Sequence, residues 1–176
     1  DNINFLSKFI PNKSFKVADS QVASRWGNIC EFDNFDLVTP NEKEARFSTG
    51  EQDTTVRSLT RSIYEKSKPK NIILKLGSKG IYSTHFEEKG KNDENTFDFS
   101  VDSFVDKNID PVGAGDALLA YSTLSYLKSK SLIVASILGS IAAACECEYD
   151  GNIPINPSDI IKKINFIEQK SKFKIK

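Results

Sequence analysis

Short β-prone runs alternate with helix-period patterns through the first half of the chain, and this alternation limits the fold more than any other feature. Phe15-Lys-Val-Ala18 ends at the polar corner Asp19-Ser20-Gln21, and Phe35-Asp-Leu-Val38 stops at Thr39-Pro40. Asn41-Glu-Lys-Glu44 then opens a helical pattern that runs through Phe47 and ends at Gly50. Val56 to Lys66 puts Val56, Leu59, Ile63 and Tyr64 on one helical face. After Pro69, Asn71-Ile-Ile-Leu-Lys-Leu76 is apolar and short enough for an interior strand, followed by the turn Gly77-Ser-Lys-Gly80 and the strand Ile81-Tyr82-Ser83. Glu87 to Glu94 reads as a charged loop, and Phe97-x-Phe99-x-Val101 returns the chain to a half-buried strand. Three helical patterns close the sequence: Asp116 to Lys128, Leu132 to about Cys147, and Pro157 to Gln169, with the loop Glu148 to Asn152 before the last. The order predicts an α/β layered fold with a largely parallel central sheet flanked by helices.

Composition narrows the ligands. The 176 residues carry 24 Lys+Arg against 24 Asp+Glu and are 39% hydrophobic, which predicts one domain over residues 1–176 with a sizeable core. With no net charge there is no electrostatic reason to expect a nucleic acid, because its binders concentrate basic charge to displace counterions from phosphate. Small molecules are the expected ligands. Ser129 to Cys145 is the longest nearly uncharged stretch, but Lys130, Ser131, Ser136, Gly139 and Ser140 interrupt it, so it reads as a buried helix rather than a membrane span. No signal peptide is legible and a reducing cytoplasm is the expected compartment. The sequence contains no Met, so we expect it to be part of a longer chain. Cys30, Cys145 and Cys147 form no CxxC pair and fit neither a disulfide framework nor a zinc site, and Cys145 and Cys147, after the small-residue run Ile141 to Ala144, read as small buried apolar side chains. His85 lacks neighbouring ligand types and receives no role.

The stretch Asp110-Pro-Val-Gly-Ala-Gly-Asp116 sets a glycine-rich turn against the apolar helix that starts Ala117-Leu-Leu-Ala120. Unpaired backbone N–H groups and the helix dipole there stabilise an anion, and glycine lets the backbone come close to it. Asp116 would repel a phosphate unless it is a base that takes a proton from a hydroxyl while the amides hold the developing charge. The alternative is that Asp116 is a plain N-cap, since Asp is a favoured cap.

Two further motifs are equally two-sided. Asn41 with Glu44 is a capping box, a structural device; the same carboxylate at a strand-to-helix junction faces the ligand crevice and could hold Mg²⁺ through water. Leu76-Gly-Ser-Lys-Gly80 is either a simple hairpin turn or a contact for nucleotide phosphates, with Lys79 solvated in the first case and engaged in the second.

In combination, Thr39-Pro-Asn-Glu-Lys-Glu44, Leu74-Lys-Leu-Gly-Ser-Lys-Gly80 and Asp110-Pro-Val-Gly-Ala-Gly-Asp116 resemble the C-terminal half of the ribokinase-like (PfkB) carbohydrate kinases. Within that family, Val17-Ala-Asp-Ser-Gln21 and Leu37-Val-Thr-Pro-Asn-Glu-Lys-Glu44 look most like the kinase domain of the bifunctional heptose-7-phosphate kinase/ADP-heptose synthase proteins. The resemblance implies a Rossmann-like core and transfer of the ATP γ-phosphoryl group to a hydroxyl of a sugar or sugar phosphate. It implies Asp116 as catalytic base and the amides of Gly113, Ala114 and Gly115 as the anion hole. By the same resemblance Asn41 and Glu44 organise Mg²⁺, Gly77, Ser78, Lys79 and Gly80 meet the nucleotide phosphates, and Asp110 helps hold a monovalent cation in several members. Pro111-Val112 stands where a pair of threonines is usual, which removes a Thr hydroxyl from that cation site. Adenine would lie between the loop after Ser78 and the helix Leu132 to Cys147. The family's N-terminal half, with its sugar-recognition segment and the lid through which members often dimerise, has no counterpart in this sequence. The sugar is therefore not legible, and the 176 residues alone are expected to be inactive. Two other functions fit the same residues: a nucleotide-binding module without catalysis, and a kinase of the same fold acting on a nucleoside or vitamin precursor.

Overall fold

A computed structural model of the chain describes residues 2–20, 28–89, 93–107, 109–151 and 153–173. The chain divides into two compact units, Asp1–Ser100 and Val101–Lys176.

The first unit is built on a five-stranded sheet in the order β1-β2-β3-β4-β5, comprising Val17–Ala18, Leu37–Val38, Asn71–Lys75, Ile81–Lys89 and Asp93–Val101. The pairs β1–β2 and β2–β3 are parallel, with Val17 opposite Leu37 and Val38 opposite Ile72. The next pair, β3–β4, is antiparallel and runs from Asn71 opposite His85 to Lys75 opposite Ile81. Three adjacent strands thus form the parallel part of the sheet, and their carboxyl ends share one edge.

Each crossover that keeps β1 to β3 parallel needs a connecting segment long enough to return, and between β2 and β3 two helices supply it. Helix α2, Glu42–Thr49, and helix α3, Val56–Ser67, bury Ala45, Leu59, Ile63 and Tyr64. These side chains join Val38, Ile72, Leu74 and Phe86 of the strands in one core, where Tyr64 stacks on Phe86 at 4.1 Å between ring centroids. Fully burying one such aliphatic side chain is worth about 1.5–3 kcal/mol, so the strand run Ile72-Ile73-Leu74 is a main anchor of this unit. Asn71 is the polar exception inside it: its amide donates to the Asp36 carbonyl and its Oδ1 meets His85 Nδ1, both at 2.8 Å. His85 therefore satisfies a buried amide, a structural role that its sequence neighbourhood did not suggest.

Charge alone is a poor guide to the segment from Glu87 onward. The expected loop is largely strand, because β4 continues to Lys89 and β5 resumes at Asp93. Pairing with β3 reaches only His85 and Phe86; β4 is also hydrogen-bonded to β5, and a ladder overrides the weak strand propensity of charged residues. Residues 90–92, the middle of that expected loop, lie outside the described residues, as do Gln21 and Asn152. A short helix α1, Asn2–Ser7, precedes the sheet and was not expected.

The second unit is helical: α4, Ala114–Ser129; α5, Leu132–Cys147; and α6, Pro157–Phe173. The two-residue link Lys130-Ser131 forces α4 and α5 to lie against each other, and Ser131 caps α5 by accepting the Val134 amide. A Cβ on Gly139 would come within 3.0 Å of the Leu118 carbonyl and of Ser122 Cβ, so the small residue sets how closely the two helices approach. Ile141, Ala142, Cys145 and Ile160 form the core of this unit, with Phe104, Tyr121 and Ile164 packed around them. The three cysteines are all free thiols, as their spacing predicts.

Candidate functional site

At the carboxyl edge of the parallel strands, β2 leaves the sheet through Thr39-Pro40 and turns straight into α2. The predicted capping box is formed in both directions: Asn41 Oδ1 accepts the Glu44 amide at 2.9 Å, and Glu44 Oε2 accepts the Asn41 amide at 2.8 Å. Glu44 is buried at 5% exposure. Burial pushes its carboxyl above the ordinary value; the Asn41 amide and Lys75 oppose that rise, and Asp19 adds to it.

Lys75, the last residue of β3, belongs to the same edge. Its amide donates to the Pro40 carbonyl at 2.9 Å, and its ammonium is held by both carboxylate oxygens of Asp19 at 2.9 and 2.8 Å. Immediately beyond it, Gly77–Lys79 forms a 3-10 turn closed by Gly80, whose φ of 87° and ψ of −131° suit only glycine. Gly77, Ser78 and Lys79 are exposed and Gly80 is buried. The first unit therefore gathers Asn41, Glu44 and the Gly77–Gly80 turn along one strand edge, together with Asp19 and Lys75, which the sequence reading did not single out. The only prior signal for Lys75 was a cation ending an otherwise apolar strand.

At this edge Glu44 is the carboxylate that could meet a hydrated Mg²⁺. Among the described residues no group of three or more His, Cys, Asp or Glu side chains is placed to hold a metal, so a fully protein-made cage is not what this edge offers. A single carboxylate working with water and phosphate oxygens matches the usual protein contribution to such a site. The Thr39 hydroxyl, at the exit of β2, is buried and has no hydrogen-bond partner among the described residues, and the buried Ser20 hydroxyl, at the exit of β1, helps hold the Glu44 carboxyl down.

In the second unit the glycine-rich segment builds the start of α4. Gly113 occupies the N-cap position with φ 87° and ψ −17°, a left-handed conformation that strains any other L-residue, and it offers no side-chain cap. Asp116 is consequently not the N-cap, as the structural alternative had it; it sits at the third helical position and is exposed. The first intrahelical bond runs from the Ala117 amide to the Gly113 carbonyl at 2.9 Å, so the amides of Gly113, Ala114, Gly115 and Asp116 all precede the ladder. Ala114 spends its amide on the Pro111 carbonyl at 3.3 Å.

Asp110 is fixed just upstream. Its amide and that of Ile109 both donate to the Cys147 carbonyl, at 3.2 and 2.7 Å, and its Oδ1 accepts the Val112 amide at 3.0 Å. Glu146, on the last turn of α5, is buried at 2% exposure with its Oε1 unpartnered among the described residues. Burial raises its carboxyl, and the nearby Asp110 and Asp116 charges raise it further against the pull of the Ile153 amide. A buried Glu in an alanine-rich helix carried no sequence signal of its own.

Residues 4–159 match the model of the pfkB family carbohydrate kinases. The ribokinase of Haemophilus influenzae is 29% identical over 118 residues, which span 66% of this chain and 36% of that protein. Among solved structures, Thermotoga maritima ribokinase superposes with a TM-score of 0.71 at 24% identity over 93% of this chain and 52% of its own. Escherichia coli phosphofructokinase-2 in complex with potassium gives 0.67 at 23% identity, covering 86% and 47%. Arabidopsis thaliana ribokinase complexed with ribose and ATP gives 0.65 at 23% identity, covering 84% and 46%. These likenesses show a ribokinase-like α/β fold, and the chain spans about half the length of the solved structures it matches. With most of its length matched by the family model, the chain belongs to the pfkB family of carbohydrate kinases.

Proposed function

We propose that the chain carries the phosphoryl-transfer machinery of an ATP-dependent kinase acting on a hydroxyl of a sugar or sugar phosphate. The observation that carries this reading is the start of α4: a side-chain-free cap, amides ahead of the hydrogen-bond ladder, and an exposed Asp116 within the same turn. Asp116 takes the proton of the acceptor hydroxyl, and the amides of Gly113, Gly115 and Asp116 stabilise the charge on the transferred group. Asn41 and Glu44 organise Mg²⁺ and its waters, and Gly77 to Gly80 meet the nucleotide phosphates. When bound, Mg²⁺ supplies charge neutralisation between phosphate oxygens. Asp110, tied to the end of α5, is the carboxylate for a monovalent cation.

The finer acceptor reading is a sugar phosphate of the heptose-7-phosphate class, supported by Val17-Ala-Asp-Ser20 and Leu37-Val-Thr-Pro-Asn-Glu-Lys-Glu44. A panel of sugars, sugar phosphates and nucleosides, assayed on the full chain with ATP and Mg²⁺, tests the acceptor. Asp116→Asn tests the chemistry: turnover should fall about 10³-fold while nucleotide affinity holds. Near-normal turnover in that variant would remove Asp116 from the role of base.

A further inference from the structure

We propose that the Asp19–Lys75 ion pair is a positioning device for the Asn41–Glu44 motif, so that binding of an Mg²⁺–nucleotide at this sheet edge depends on the pair as well as on the motif. The proposal rests on the kinase reading above.

Three observations support it. The first is topological. Asp19 directly follows β1 and Lys75 ends β3, while β2 runs between them, so the contact from Lys75 Nζ to both Asp19 oxygens crosses the exit of β2. Residue 75 thereby ties all three parallel strands together where Asn41 begins: its amide holds Pro40, its ammonium holds Asp19, and Asn41 itself bridges to Lys75 in parallel register.

The second is energetic. Both side chains are largely buried, at 18% and 17% exposure. An ion pair in that setting is often no more stabilising than an apolar pair of similar volume, because desolvating two charges offsets their attraction. Holding the strands together does not require it.

The third is the charge and hydrogen-bond balance. Glu44 lies within electrostatic reach of both partners, so Lys75 offsets the repulsion between its carboxylate and that of Asp19. The Thr39 hydroxyl at the exit of β2 is buried without a hydrogen-bond partner among the described residues. A strap with a purely structural purpose would not leave it unsatisfied. An arriving cation with its water shell can use both the Glu44 carboxylate and this spare hydroxyl.

The test uses Asp19→Asn, Lys75→Met and the double variant in the full chain, with Mg²⁺–ADP affinity by calorimetry and thermal unfolding measured side by side. Each single variant should weaken Mg²⁺–ADP binding about tenfold or more, as loss of an outer-sphere partner commonly does. The double variant should regain the melting temperature but not the affinity, and Lys75→Arg should retain both. If the double variant regains affinity as well, or if Asp19→Asn leaves it within about twofold, the pair is only a strap and the proposal fails. The unaltered chain separates the two ideas: no Mg²⁺–ADP binding there would overturn the kinase reading too, whereas normal binding with indifferent variants overturns the positioning role alone.

Discussion

The starts of α2 and α4 solve the same problem in opposite ways. Both follow tight turns and both begin a helix with four amides that lack intrahelical partners. At α2 the chain closes its own end, with Asn41 and Glu44 exchanging side-chain-to-backbone bonds at 2.8 and 2.9 Å. At α4 it leaves the end open, because Gly113 has no side chain to offer. The capping box spends two of those four amides and fixes a carboxylate in place, and the free edge of that carboxylate can face a cation. An open end does the reverse. Under the proposed function the first helix start would organise a cation and the second an anion, the pairing phosphoryl transfer needs.

Closing the open end is the strongest way to break this contrast. Gly113→Ala places a Cβ on a left-handed residue and should cost about 1–2 kcal/mol in unfolding free energy. The shift in the amides it causes should lower turnover about 100-fold, by analogy with the loss of one anion-hole donor. Chemical denaturation and steady-state kinetics read the two effects separately, and unchanged turnover would show that the amides carry no charge in the reaction.

Changing the charge of the closed end without opening it comes next. Glu44→Gln keeps an acceptor for the Asn41 amide, so the cap survives while the carboxylate charge is lost. The Mg²⁺ concentration for half-maximal activity should rise about tenfold with little change in melting temperature. If Mg²⁺ dependence is unaltered, the capping box is only a cap. Asn41→Ala is the complementary change: it opens the cap and should destabilise the protein by about 1 kcal/mol, visible as a lower urea midpoint.

The smallest effect concerns Glu146, whose carboxyl is raised mainly by burial. A raised carboxyl means the folded state holds this proton more tightly than the unfolded state, so stability is lost as pH climbs from the ordinary carboxylate value through the raised one. Glu146→Gln removes that loss and keeps an acceptor for the Ile153 amide. Its melting temperature should exceed the parent's at pH 7 to 8, and the difference should vanish below about pH 4. An advantage that persists in acid would assign the effect to packing instead.

Legibility from sequence followed the range of the interactions involved. Helix α5 runs from Leu132 to Cys147 as its pattern predicts, and α3 ends at Ser67, one residue beyond the expected Lys66. The capping box was legible because its two partners are three residues apart. The length of β4 was not, since it depends on pairing with the neighbouring strands β3 and β5 rather than on its own charged residues. The cap of α4 was placed three residues late, because Asp is a favoured cap by type and the left-handed backbone at Gly113 is a matter of conformation.

The amino-acid order alone was enough to dictate the α/β alternation, the span of α5 and the three motifs, because periodicity, caps and glycine turns act over a few residues. Tertiary structure decided which charges meet. Asp19 and Lys75 are 56 residues apart and become partners only when β1 and β3 flank β2. Asp110 and Glu146 come together only because the start of the glycine-rich segment is hydrogen-bonded to the end of α5. Contacts of that range depend on strand order and helix packing, which no local pattern encodes.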